Sequence, residues 1–185
     1  MRNRVSLTGT AVGVVVAGAL STTLVPFTAS PAWAQACATS DVVCLINAQR
    51  TQRGLPALTL NQNLTTAAQQ HAFAAVQQRW WGPGRNPHVN PQTGSTPQSR
   101  ILGAGYCPNP VSWRVAEIAY TGWGGSGTPN AAANWWMNSP PHRANILDPG
   151  LREIGRGVQA GAADPAGAGA SGAGTYVVTF GSCQR

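Results

Sequence analysis

The chain has 185 residues, of which 43% are apolar and 9% charged, and a net charge of +7 at pH 7. That length suits one domain and falls short of two. All twelve basic residues are arginines spread without a run, so binding to nucleic acid is not expected, whereas loose contact with an anionic envelope surface is compatible with the charge.

The first 34 residues read as an export signal rather than as part of the fold. Arg2 and Arg4 form a basic start, an apolar stretch runs from Val5 to about Val25, and Ala32-Trp33-Ala34 supplies small residues for cleavage. Cleavage is expected after Ala34, with Ala36 as the alternative. Arg2-Asn3-Arg4 is not a twin-arginine pair, which points to general secretion. Residues 35–185 then form a single secreted domain, and losing Arg2 and Arg4 lowers the net charge from +7 to +5. All four cysteines, Cys37, Cys44, Cys107 and Cys183, follow the cut. An even count in an exported chain reads as two disulfides with three alternative connectivities. We favour Cys37–Cys44, pinning the start of the domain, and Cys107–Cys183, tying a mid-chain loop to the last strand.

In chain order, Ser40-Asp41 caps an apolar stripe of helical spacing that stops at Gly54. Asn61 caps a second helix carrying Leu64, Ala67, Ala68, His71, Ala74 and Ala75, which ends near Arg79. His71, on the apolar stripe, reads as a half-buried histidine with one nitrogen satisfied. Residues 80–91 form a Gly/Pro loop in which Trp80 and Trp81 either rim a cleft or plug the core. Thr96-Pro97 opens a third helix with Ile101 and Leu102 inward. A strand follows over 113–120, and Thr128-Pro129 caps a fourth helix in which Trp136 is core and Trp135 undecided. Strands over 154–158 and 176–180 form an antiparallel hairpin around a Gly/Ala-rich loop, 160–174, with no core-forming residues and expected mobility. The fold class is α+β, with helices covering a small antiparallel sheet.

The most informative segment is Asn138-Ser-Pro-Pro-His-Arg-Ala-Asn-Ile-Leu-Asp148. Pro140 and Pro141 suit the first turn of a helix, and they place His142 on a rigid start with Glu153 soon after. The pattern WMNS-x-x-HRANIL resembles the bacterial branch of the CAP superfamily, which also holds cysteine-rich secretory proteins, venom antigens and pathogenesis-related proteins. Leu45-Ile-Asn-Ala-Gln-Arg, His88-Val-Asn-Pro and Arg114-Val-Ala-Glu-Ile-Ala resemble further family segments. The resemblance covers about Val42 to Phe180. It implies an α-β-α sandwich and a cleft tetrad of His88, Glu117, His142 and Glu153.

His88 and His142 could hold Zn²⁺ or another divalent cation, with the glutamates supporting the imidazoles; equally, the four groups could do acid/base work. Trp80, Trp81 and Ser139 are candidate ligand contacts, although Ser139 reads more simply as a helix cap. The resemblance thus implies a monomeric extracellular module with a small-molecule or lipid ligand. A metal-dependent, peptidase-like hydrolase is the alternative. Ala116, Ile118 and Ala119 depart from the family strand, leaving the orientation of Glu117 open.

Overall fold

The computed structural model describes residues 41–185; the export signal, its cleavage site and Cys37 lie outside the described residues. Helix α1 (Val42–Thr51) is followed by strand β1 (Thr59–Leu60), α2 (Gln62–Gln78), α3 (Pro97–Gly103) and β2 (Ser112–Gly122). Helices α4 (Pro129–Asn138) and α5 (Pro140–Ile146) precede β3 (Glu153–Ala160) and β4 (Gly174–Gln184). Asp41, Asn61, Thr96 and Thr128 each accept a backbone N–H at a helix start, as their short polar side chains allow. Arg79 closes α2 in the left-handed conformation.

The four strands lie in the order β1-β3-β4-β2. β3–β4 and β4–β2 are antiparallel, but β1 runs parallel to β3, with Thr59 opposite Glu153. The sheet is therefore mixed rather than wholly antiparallel, because a two-residue strand is too short to show an alternating pattern. Helices cover both faces. On one side Ile118, Ile154, Val178 and Phe180 pack with Val42, Ile46, Trp136 and Ile146 from α1, α4 and α5. On the other, Ala119 and Val177 meet Ala68, Ala72 and Ala75 of α2.

α2 lies almost on the backbone of β3, since a Cβ at Gly155 or Gly157 would overlap the main chain of α2 at Leu64, Thr65 and Ala68. Thr179 Oγ1 donates to the Leu64 carbonyl at 2.9 Å within this contact. Arg50 is fully buried and donates to the carbonyls of Pro56, Ile146 and Asp148, tying the exit of α1 to the end of α5. Cys107 and Cys183 form a disulfide. Cys44 is also disulfide-bonded, and no cysteine among the described residues is free.

Two local expectations change. The 160–174 loop contributes to the core: Ala162 and Ala163 are buried, and the Ala163 amide is held by Thr121 and Thr175 hydroxyls. Small side chains fill the narrow space beside Trp81. Leu102 is exposed, while Ile101 is the buried apolar side chain of the seven-residue α3. Among the described residues, no helix is long and apolar enough to cross a membrane.

Candidate functional site

Glu117 lies on β2, the edge strand, and faces α2 rather than solvent, with its side chain 1% exposed. A buried carboxylate needs partners, and here it has several. His88, from the loop after α2, places Nδ1 at 2.9 Å from Glu117 Oε1. Arg100, on α3, donates Nη2 to both carboxylate oxygens at 2.9 Å and to the His88 carbonyl at 3.0 Å. Its Nη1 donates to the Ser95 carbonyl at 2.8 Å. One guanidinium therefore joins the carboxylate, the histidine's backbone and the far end of the His88 loop.

His71 stands behind this group. Nε2 donates to the Pro87 carbonyl at 2.8 Å and lies 3.9 Å from Glu117 Oε1. It is fully buried, with Nδ1 unpartnered, so the reading of one satisfied nitrogen agrees with the structure while the half-burial does not. Burial holds its pKa below the usual histidine value, opposed by the charge of Glu117 and reinforced by that of Arg100. Because Pro87 precedes His88, His71 braces the backbone that presents the second imidazole.

His142 sits on the first turn of α5. Its Nδ1 lies 2.7 Å from Ser139 Oγ, and its ring centroid is 4.8 Å from that of Trp135. Ser139 occupies the cap position but makes no side-chain cap bond; its hydroxyl orients His142 instead. Burial lowers the His142 pKa, and the charge on His88 lowers it further. Among the described residues, neither ring's Nε2 has a protein hydrogen-bond partner.

His88 and Glu117, two of the four residues that the family segments name, are thus bonded to each other. A model of the Cysteine-rich secretory protein family, CAP, matches residues 43–180. The chain belongs to the CAP family.

The CAP domain is 30% identical over 116 residues to the uncharacterised protein YkwD of Bacillus subtilis (strain 168), a match covering 63% of this chain and 40% of YkwD. It thus spans less than half the length of that relative. Among solved structures, an outer surface protein from Borrelia burgdorferi is similar with a TM-score of 0.57 at 22% identity, over 77% of this chain and 90% of that one. An extracellular SCP-domain protein from Bacillus anthracis str. Ames is similar at 0.55 and 21% identity, over 78% and 39% of the two chains. At those identities the likeness carries the fold.

Within the CAP domain, Glu153 does not join His88 and Glu117. It lies on β3 opposite Gly181, with β4 between it and β2. Tyr106 reaches it across Gly181, where any Cβ would meet the phenol, and donates to Oε2 at 2.6 Å. Asn61 donates to Oε1 at 2.7 Å. Both carboxylate oxygens are thus engaged, and burial and this bond push the Tyr106 phenol up in pKa. Trp81 is buried in the α2 core and Trp80 packs against that cluster, so the Trp pair plugs the loop onto the core. Trp135 is the exposed indole beside His142.

Arg100 is the residue that sequence reasoning passed over. A useful signal was present: a chain with so few charges that buries a glutamate must place a cation on it, and Arg100 adjoins the inward Ile101. As for a divalent cation, His88 and His142 offer two nitrogens, whereas a zinc centre commonly takes three or four protein ligands. Glu117 is occupied by Arg100 and Glu153 by Tyr106, and no group of three or more ligating side chains gathers for a metal among the described residues. The donor set does not fit a resident metal centre.

Proposed function

We propose that this is an exported CAP-domain binding module whose His88–His142 cleft takes a small extracellular ligand. One observation carries the reading. Each imidazole is fixed through Nδ1, by Glu117 or by Ser139, which leaves Nε2 without a protein partner among the described residues. In the neutral ring the carboxylate bond places the proton of His88 on Nδ1 and leaves Nε2 as an acceptor. Export is supported by the signal-like first 34 residues and the paired cysteines. It accords with the extracellular and outer-surface proteins that share the fold.

The alternative, a hydrolase with a glutamate as its base, needs that carboxylate free to accept a proton. Glu117 is held by Arg100 and His88, and Glu153 by Tyr106 and Asn61, which speaks against that form of the reaction. The test is nitrogen-resolved NMR of the histidine rings during titration with saccharides, phospholipids and Zn²⁺ alone. A true cleft ligand shifts His88 and His142 together, and His142→Ala removes the binding. Binding that leaves both rings unmoved would reject the cleft. Zn²⁺ held at sub-micromolar concentration through both rings would instead establish a metal site.

A further inference from the structure

A short groove runs along the open side of β2, holding about 290 Å³. Trp81 and Pro87 line it from the loop, Ala119 and Tyr120 from the strand, and Trp135 from α4, with Arg85 also at its margin. Pro87 adjoins His88 in sequence, and Trp135 contacts His142, so each histidine neighbours a residue that lines the groove.

Trp135 is 48% exposed, yet it is set between rings, 5.6 Å from Tyr120 and 4.8 Å from His142. A large indole held in place in water loses burial energy and gains a rigid contact surface, the usual property of a recognition aromatic. Arg85 is exposed, and its guanidinium has no ion-pair, hydrogen-bond or ring partner among the described residues, which leaves its charge available to an anion.

Resting on the reading of the cleft as a ligand site, we infer that this groove binds an acidic saccharide, one sugar ring lying on Trp135 and a carboxylate meeting Arg85. Two other occupants fit less well. An added peptide strand needs the outward backbone groups of β2, but Trp136 Nε1 already donates to the Ala119 carbonyl at 3.1 Å. A lipid chain needs a longer apolar enclosure, whereas this groove is short, open and below the usual volume of ligand pockets. A sugar ring presents an apolar face to an aromatic platform and keeps its hydroxyls in water.

The experiment titrates the mature protein with a galacturonic acid tetramer, an N-acetylglucosamine tetramer, phosphatidylglycerol vesicles and an extended peptide. Calorimetry and tryptophan fluorescence read binding, and NMR reads the histidine rings. The acidic tetramer should bind most tightly and perturb tryptophan emission. Trp135→Ala should weaken it at least ten-fold; Arg85→Gln should weaken it several-fold and leave the neutral tetramer unaffected. Preference for the neutral tetramer, vesicles or peptide, or acidic binding indifferent to Trp135→Ala, overturns the inference. Another ligand shifting both histidines while no saccharide binds leaves the cleft reading standing and removes this one. Acidic binding that needs Trp135 but leaves both histidines unmoved has the opposite meaning.

Discussion

Arg100 holds Glu117 with one nitrogen at 2.9 Å from each carboxylate oxygen, and both side chains are almost wholly buried. The pair crosses from α3 to the edge strand, and His88 rests on it by side chain and by backbone. The His88 loop therefore has an ionic foundation that the histidine alone could not supply.

Breaking that foundation on one side should cost more than removing both halves. Arg100→Met leaves a buried carboxylate uncompensated, a loss of roughly 3–5 kcal/mol, whereas Arg100→Met with Glu117→Gln should lose clearly less. Urea unfolding followed by circular dichroism measures both. Additive losses in the double variant would mean that the ion pair is not the source of the stability.

Acid should weaken the fold in a defined window. Burial depresses the pKa of His71 and, with the charge of His88, that of His142. The unfolded chain then binds protons more readily, so the stability from neutral imidazole is complete above pH ~6.5 and is lost as pH falls through the folded values. Melting temperature should drop between pH 7 and 5, and His71→Gln, which can still donate to the Pro87 carbonyl, should flatten that slope. A His71 ring that titrates above 6.5 by NMR contradicts the assignment.

The contact of α2 with β3 should tolerate no side chain at its centre. Gly157→Ala places a methyl group in the backbone of α2 at Ala68 and should destabilise by about 1–3 kcal/mol or more. Gly54→Ala, with open space around it but a positive φ, should lose less. Equal losses in thermal unfolding would argue against the close approach.

The Cys107–Cys183 bridge closes a long segment, with a sequence separation of 76, for which the chain-entropy picture gives about 4.5 kcal/mol. Cys107→Ser with Cys183→Ser should lower the midpoint of denaturation accordingly. Thiol labelling of the denatured, unreduced wild type should find no reactive cysteine, and two reactive thiols would count against an oxidised, exported domain.

The sequence by itself determined the local stops and starts, because caps act within a few residues. Asp41, Asn61, Thr96 and Thr128 all cap as read, whereas of the three open cysteine connectivities the structure shows the favoured Cys107–Cys183 bridge. The sequence also marked the segments carrying His88, Glu117 and His142, through motifs of family-specific spacing. What it left open depended on contacts between distant elements. Arg100 meets Glu117 only once α3 lies over β2, and Ser139 serves His142 because the helical turn brings them together. Glu153 turns to Tyr106 because Gly181 leaves the strand between them bare. The parallel β1 is too short to have a period, and Ala163 is buried by the space beside Trp81 rather than by its own hydrophobicity. Those choices follow from packing, which acts across the chain, and only the tertiary structure makes them.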